Sequence, residues 1–200
     1  MGFNLTEIVF VLDRSGSMAG LEGNVIGGFN AFIENQMKMD GKVLVTAVLF
    51  DHEYELLWNG IDAGKARLTS REYYVRGCTA LLDAVGKTIL DVGRRLSLQP
   101  VGQRPGKVIF VITTDGLENA SREFSYGKVK ELIRHQQERH GWEFVFLGAN
   151  IDVAKEADSL GICRDDAYSF KVTKAGVAKM YDTVCEAVTK KRNNNTSGGL

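Results

Sequence analysis

The stretch TEIVFVLDRSGSM, residues 6–18, is the part of the chain that decides the fold class. Its apolar run IVFVL shows no alternation of polar and apolar residues, which predicts a strand buried on both faces, as in a parallel sheet. The strand ends directly in Asp13, and Ser15 and Ser17 follow at alternate positions. Gly16 lets the backbone turn tightly there. We therefore expect one carboxylate and two hydroxyls to face a single point at the end of a buried strand.

Strand patterns and helix patterns alternate along the rest of the chain. This order predicts βαβ units, and therefore a doubly wound, open α/β sheet of Rossmann-like type with helices on both faces. The sheet should be mostly parallel with one antiparallel edge strand, because the link at Asp51 and His52 is long enough only for a hairpin. Gly41 and Gly141 are expected to end the helices that precede them. The predicted strands are residues 7–13, 42–51, 54–60, 107–115, 142–150 and 167–172, and the predicted helices are residues 21–40, 80–96, 125–140, 153–161 and 175–191.

The composition fits one folded domain without a dominant charge. The chain has 200 residues, 44% of them hydrophobic, with 25 basic and 25 acidic side chains. The zero net charge argues against nucleic-acid binding, and no apolar run is long enough to span a membrane. Cys78, Cys163 and Cys185 form no CxxC pair, which favours reduced thiols in a cytoplasmic protein over a zinc site. We expect residues 1–190 to form the domain and residues 191–200 to form a flexible tail.

Oxygen-bearing side chains gather at the predicted carboxyl ends of the strands. Asp13 and Asp115 each end a buried strand, and their carboxylates should converge if the two strands are neighbours where the strand order reverses. Ser15, Ser17 and Thr79, which stands just before a predicted helix, add three hydroxyls, although Ser17 and Thr79 are each also acceptable helix N-caps. Such an all-oxygen set suits a hard cation. Mg²⁺ fits best, Mn²⁺ is a substitute, and Ca²⁺ usually takes more carboxylate oxygens.

Three segments, DRSGSM, GCTALLDA and TTDGLENAS, resemble the three metal-binding loops of the von Willebrand factor type A (vWA) domain. The resemblance extends from about residue 7 to residue 190 and includes the order of strands and helices. It implies a metal ion-dependent adhesion site (MIDAS) in which Ser15, Ser17 and Thr79 coordinate the metal through their hydroxyls. Asp13 and Asp115 would act mostly through bound water or as hydrogen-bond acceptors, and either Thr79 or Asp115 can be the direct ligand. The metal would then bind an acidic residue of a partner protein.

Several other positions on these loops carry expectations of their own. Arg14 should reach across the rim, meaning the sheet edge that carries the metal loops, and Cys78 should be a packed thiol. Glu118 and Asn119 should shape the third loop or border the metal site. Glu118 is also a candidate competitor for the open metal position, although a charge in solvent is favoured over that role. The GAN tripeptide, Gly148–Asn150, either flanks the partner surface or is a strand-to-helix turn capped by Asp152.

Rival functions have weaker support. A haloacid dehalogenase-like phosphatase also has an aspartate after its first strand and uses Mg²⁺, but Ser15 stands where its general acid should be. The GKT at residues 86–88 lies inside a predicted helix and lacks the first glycine of a P-loop. Domains of the vWA type also occur beside AAA+ ATPases, so an accessory subunit of a chelatase-like or stress-response complex stays an alternative. We expect a binding module and not an enzyme.

Overall fold

The computed structural model describes residues 4–194, which form one six-stranded sheet with helices on both faces. The strands lie in the order β3-β2-β1-β4-β5-β6. The strands are β1 (Leu5–Asp13), β2 (Lys42–Phe50), β3 (Tyr54–Asp62), β4 (Lys107–Thr114), β5 (Glu143–Gly148) and β6 (Ala167–Ser169). The helices are α1 (Glu22–Met37), α2 (Leu81–Leu98), α3 (Tyr126–His140), α4 (Val153–Leu160) and α5 (Lys174–Asn193).

The sheet confirms the predicted topology. Strand β1 lies between β2 and β4 and is parallel to both, and β3 forms an antiparallel hairpin with β2 at one edge. The chain therefore starts near the middle of the sheet and moves first to one side and then to the other. The strand order reverses between β1 and β4, which is the position where open α/β sheets bind ligands. Because these two strands are parallel neighbours, their carboxyl ends lie side by side on the rim.

Each face of the sheet has its own apolar core, which is why the strands carry continuous apolar runs. Helices α1 and α5 cover one face, where the Phe10 ring makes edge-to-face contacts with Phe29 and Phe32. Helices α2, α3 and α4 cover the other, where Phe110 stacks on Phe144. Aromatic pairs of both geometries add a small stabilisation beyond the burial of their area.

Element boundaries differ from the prediction by a few residues in several places. Helix α1 ends at Met37 and not at Gly41, which lies directly before β2 with a positive φ of 93°. The backbone oxygen of Asn4 lies only 2.5 Å from where a Cβ at Gly41 would stand, so that glycine serves a close backbone approach. Strand β6 ends at Ser169, three residues before the predicted end, and helix α5 runs to Asn193, beyond residue 190.

Helix α3 ends as predicted at the left-handed Gly141, and α4 ends at Gly161, which is also left-handed. The rest of the predicted tail, residues 195–200, lies outside the described residues. No helix within residues 4–194 combines the length and apolarity needed to cross a bilayer.

The last turn of α5 is fixed at the base, the sheet edge opposite the rim. Lys107, the first residue of β4, donates from Nζ to the backbone oxygens of Lys191 (2.5 Å) and Arg192 (2.9 Å). Arg192 is 7% exposed and donates to the backbone oxygen and the side-chain oxygen of Gln36 in α1. A lysine ammonium group placed against the end of a helix satisfies the last carbonyls, which have no hydrogen-bond partner within the helix. The end of α5 is thus bound both to the sheet and to its neighbouring helix.

Candidate metal centre

Asp13 joins the ends of the two central strands. It ends β1, is 3% exposed, and accepts at Oδ1 from the backbone N–H of Ser15 (2.7 Å). Its Oδ2 accepts from the Thr114 hydroxyl (2.8 Å) and, at 3.4 Å, from the backbone N–H of Asp115. One carboxylate therefore fixes the turn that follows β1 and also fixes that turn against the end of β4. The predicted convergence of the two strand ends is confirmed.

Three side-chain oxygens form a compact triangle beside Asp13. Asp115 Oδ1 lies 3.1 Å from Ser15 Oγ and 2.7 Å from Ser17 Oγ, and the two Oγ atoms are 3.2 Å apart. These separations are hydrogen-bond distances, and they also match one face of a magnesium octahedron. With Mg–O distances of 2.0–2.1 Å, neighbouring ligand oxygens in an octahedron are about 2.9 Å apart. The three oxygens could therefore hold Mg²⁺ with little rearrangement.

Thr79 lies on a different loop that is hydrogen-bonded to the loop after β4. Its backbone N–H donates to Asn119 Oδ1, and its backbone oxygen accepts from the N–H of Asn119, both at 3.0 Å. Thr79 is 4% exposed, and its Oγ1 lies 3.9 Å from where a Cβ at Gly116 would stand. The structure thus joins Asp13, Ser15, Ser17 and Asp115 by hydrogen bonds and places the Thr79 hydroxyl beside the residue that follows Asp115.

The site concentrates negative charge away from water. Burial raises the pKa of Asp13 to about 6, and the neighbouring Asp115 carboxylate adds to the rise, while hydrogen bonds from Ser15 and Thr114 act in the opposite direction. The Tyr73 hydroxyl donates to the backbone oxygen of Asp13 (2.8 Å), and burial raises its pKa well above the ordinary value, so it stays a donor. A cation would offset the electrostatic cost of ionising these buried carboxylates.

The third loop, residues 116–124, is braced against the start of α2 by two carboxylates. Glu118 Oε2 accepts from the backbone N–H of Leu82 (2.9 Å), and its Oε1 accepts from two backbone N–H groups of its own loop. In return, Asp83 in α2 accepts from the backbone N–H groups of residues 122, 123 and 124. Both oxygens of Glu118 serve structural hydrogen bonds, so this residue shapes the third loop, which was one of the expectations for it, and the alternatives of a metal competitor and a solvated charge are wrong.

Arg14 extends along the rim, from the end of β1 to residues that follow β2 and begin β3, and it is buried there. Its side chain is fully buried, with Nε donating to Asp51 Oδ2 (2.9 Å) and NH1 donating to Glu55 (2.6 Å). Burial acts to raise the pKa of Asp51, but hydrogen bonds from Glu53, Arg76 and Arg14 outweigh it and hold that pKa below its ordinary value. The ion pair fixes the first metal loop to the end of β2.

Residues around the site form a mixed rim. Leu117 is 62% exposed. Cys78 is also exposed, so the prediction that it is a packed thiol is wrong. Asn150 has a positive φ of 58°, and its side-chain N–H donates to the backbone oxygen of Asp115 (3.2 Å). Asp152 accepts from the N–H of Lys155 and caps α4, as the alternative for the GAN tripeptide predicted. That tripeptide therefore both precedes a capped helix and borders the candidate site.

Comparisons with known proteins place this architecture. No protein-family model and no curated protein sequence matches the chain. Among solved structures, the vWF domain of the type V pili tip protein Mfa5 from Porphyromonas gingivalis superposes with a TM-score of 0.66 at 12% identity, covering 95% of this chain and 97% of that one. Proximal thread matrix protein 1 (PTMP1) from the mussel byssus gives 0.64 at 15% identity over 92% of this chain.

The match to PTMP1 covers 46% of that protein, so this chain spans less than half of its length. A further structure of PTMP1 is described as having a zinc-occupied MIDAS motif, and it superposes with a TM-score of 0.61 at 16% identity. The sheet order, the antiparallel edge strand and the helices on both faces agree with these relatives in structure. The chain therefore adopts the von Willebrand factor type A fold.

Proposed function

We propose that this chain is a Mg²⁺-dependent protein-binding module whose metal engages an acidic residue of a partner protein. The observation that carries the proposal is the triangle of Ser15 Oγ, Ser17 Oγ and Asp115 Oδ1, whose sides of 2.7–3.2 Å suit an octahedral hard cation. Thr79 and Asp13 complete the site, Thr79 as a hydroxyl ligand and Asp13 as the acceptor that holds the loops in place.

The balance of charge at the site favours an acidic partner. The hydroxyl ligands are neutral, and both oxygens of Asp13 already accept hydrogen bonds from the chain itself. A bound Mg²⁺ would therefore keep part of its positive charge. When bound, the metal would supply a Lewis-acidic position for one carboxylate oxygen of the partner, and such hard oxygen ligands are the ones Mg²⁺ prefers. Glu118 does not compete for this position, because its carboxylate is already bonded to α2 and to its own loop.

The identity of the ion is part of the proposal. An all-oxygen set favours Mg²⁺, with Mn²⁺ and Ca²⁺ as substitutes, and the zinc described for PTMP1 is a fourth candidate for competition experiments. We also propose a cytoplasmic location from the three free cysteines, although the structural neighbours include pilus proteins, and cell fractionation with an antibody to this chain tests it. Within the cytoplasm, an accessory role beside an AAA+ ATPase is a narrower form of the same binding function.

The hydrogen bonds of the Asp13 carboxylate favour a binding function over phosphoryl transfer. A nucleophilic carboxylate needs one oxygen free to reach the substrate, whereas both oxygens of Asp13 are held by Ser15, Thr114 and Asp115. Position 15 also carries a serine in place of a general acid. Hydrolysis of a general phosphatase substrate by the Mg²⁺-loaded protein, lost in Asp13→Ala, would reverse this preference.

Calorimetric titration of chelator-treated protein with Mg²⁺ and Mn²⁺ tests the site. We expect saturable binding that is abolished in Asp13→Ala and weakened in Ser17→Ala and Thr79→Ala. Ser159→Ala is the matched control, because it removes a serine hydroxyl that bonds only within α4. Circular dichroism should show that all variants stay folded. An Asp13→Ala protein that binds Mg²⁺ as tightly as the wild type would refute the assignment.

The role of the partner is tested separately. The wild-type protein and the Ser17→Ala variant would be compared for capture of binding proteins with Mg²⁺ and with chelator. We expect capture that needs both the metal and Ser17, and that is lost when the captured protein's acidic contact residue is changed to its amide. Capture that is equally strong with chelator would show that binding does not pass through the metal.

A further inference from the structure

A small cavity lies directly beneath the candidate metal centre, between the ends of β1 and β4 and helix α5. Its volume is about 10 Å³, close to the smallest volume that holds one water molecule. Its lining includes apolar side chains such as Met180 and six polar residues, namely Asp13, Tyr73, Thr113, Thr114, Asp115 and Tyr181. The cavity therefore combines the size for a single water with several polar groups, which is the combination that ordered internal water needs.

Two of these polar groups have no hydrogen-bond partner in the protein. Asp13 is satisfied at both oxygens, and Tyr73 donates to the backbone oxygen of Asp13. Asp115 uses Oδ1 for the two serines, but its Oδ2 is buried without a partner, and so is the hydroxyl of Tyr181. A buried polar group without a partner is unfavourable enough that nearly all such groups in native proteins are satisfied. Both unpaired groups belong to side chains that line the same cavity.

Tyr181 is an unusual residue for its position. It lies on the buried face of α5, where Val177, Val184 and Val188 are apolar neighbours, and it is only 5% exposed. Its ring occupies space opened by Gly28 of α1, because a Cβ there would stand 2.2 Å from the ring. Phenylalanine would fill the same space without a hydroxyl to satisfy. Burial raises the pKa of Tyr181, so the hydroxyl stays protonated and serves as a donor.

We propose that the cavity binds one ordered water that accepts a hydrogen bond from Tyr181 and donates one to Asp115 Oδ2. Tyr181 is then a positioning residue: through the water it fixes the carboxylate of Asp115 so that Oδ1 faces Ser15 and Ser17. The proposal of the water bridge depends only on the cavity and its two unpaired groups, and not on the proposed function. The effect of the bridge on metal affinity rests on the proposed function.

The direction in which Tyr181→Phe changes the folding equilibrium constant distinguishes the water bridge from an unpaired hydroxyl. If the Tyr181 hydroxyl has no partner, Tyr181→Phe removes an unsatisfied buried group and the folding equilibrium constant rises or stays the same. If the bridge exists, the variant loses the hydrogen bond from Tyr181 to the water and leaves the water, which positions Asp115, short of a donor. We then expect the folding equilibrium constant, measured by urea unfolding in chelator, to fall by about fivefold to tenfold.

Metal affinity gives the second readout. We expect Tyr181→Phe to weaken Mg²⁺ binding several-fold, because the carboxylate of Asp115 becomes less well positioned. Val184→Ala is the control, since it destabilises α5 through a buried side chain that does not line the cavity. It should lower stability and leave Mg²⁺ affinity unchanged. Equal losses of affinity in both variants would show that Tyr181 acts only through general stability, and would overturn its positioning role.

The two proposals fail in different ways. If the wild-type protein binds no Mg²⁺ but Tyr181→Phe lowers the folding equilibrium constant in chelator, the proposed function is wrong and the water bridge survives. A Tyr181→Phe protein that is as stable as the wild type, or more stable, overturns the bridge whatever Mg²⁺ does. A high-resolution crystal structure of the wild-type chain supplies a direct test, because the bridge requires ordered density between Tyr181 and Asp115.

Discussion

Replacing Asp13 with asparagine should separate the role of this carboxylate in metal binding from the destabilisation that its buried charge causes. Burial raises the pKa of Asp13 from 3.8 to about 6. The folded state therefore binds this proton more tightly than the unfolded state does. The resulting stabilisation is fully present below the unfolded pKa of 3.8 and is lost as the pH rises through about 6. A difference of about two pKa units corresponds to about 3 kcal/mol.

Asparagine carries no charge at any of these pH values, so the variant avoids this loss. Its side-chain oxygen can still accept from the N–H of Ser15, but its amide nitrogen cannot accept from the Thr114 hydroxyl, which offsets about 1–2 kcal/mol of the gain. The metal-free variant should therefore be more stable than the wild type by about 1–2 kcal/mol near pH 7.5, and it should bind no Mg²⁺. The wild type would then sacrifice stability in order to keep a metal-binding carboxylate.

Urea unfolding in chelator, repeated from about pH 4 to about pH 7.5, measures this effect. We expect the difference in free energy of unfolding between Asp13→Asn and the wild type to rise by about 2–3 kcal/mol over that range in favour of the variant. Asp182→Asn changes an exposed carboxylate in the same way and should show no such trend. A pH-independent difference for Asp13→Asn would refute the reasoning, as would a variant that retains Mg²⁺ binding.

Two further substitutions test the packing that supports the site. Gly28→Ala should lower the free energy of unfolding by about 1–3 kcal/mol, because the new Cβ would stand 2.2 Å from the Tyr181 ring. Gly27→Ala is the control: its new Cβ meets open space, so this variant should be neutral or stabilising in thermal unfolding. Arg14→Met should destabilise the protein by about 2–3 kcal/mol, since it removes the buried one of the two guanidinium groups that pair with Asp51 and leaves only Arg76. Arg76→Met removes the partly exposed partner and should cost less in denaturant unfolding, and equal losses in the two variants would contradict this account.

The convergence of the site was predictable because it follows from sheet geometry. Parallel neighbours end at one edge, so aspartates that end β1 and β4 must approach each other, and Asp13 and Asp115 do. The alternation of Asp13, Ser15 and Ser17 likewise anticipates the two serine hydroxyls that meet Asp115 Oδ1. Local sequence contains this information because backbone periodicity and strand order alone determine it.

The sequence could not identify the partners of side chains that bond over long distances along the chain. The partners of Arg14, Asp51 and Glu55, stand 37 and 41 residues further along the chain. A role for Glu118 in shaping the third loop was expected, but its bond to the start of α2, 36 residues earlier, was not. No periodic pattern marks such pairings between loops. A hydrophilic residue in a loop indicates exposure only when nothing else in the fold offers it a charge or a donor.

The anchoring of α5 at the base has a consequence for how the domain can be attached to other structures. Strand β1 begins at the base next to the starts of β2 and β4, and α5 ends there, bound to Lys107. Both ends of the described chain thus emerge on the side opposite the candidate metal centre. A tether at either end, whether a surface, a fused domain or an optical-trap handle, would leave the rim facing outward. Load applied between the two ends would pass through the base and leave the metal loops outside the direct line of force.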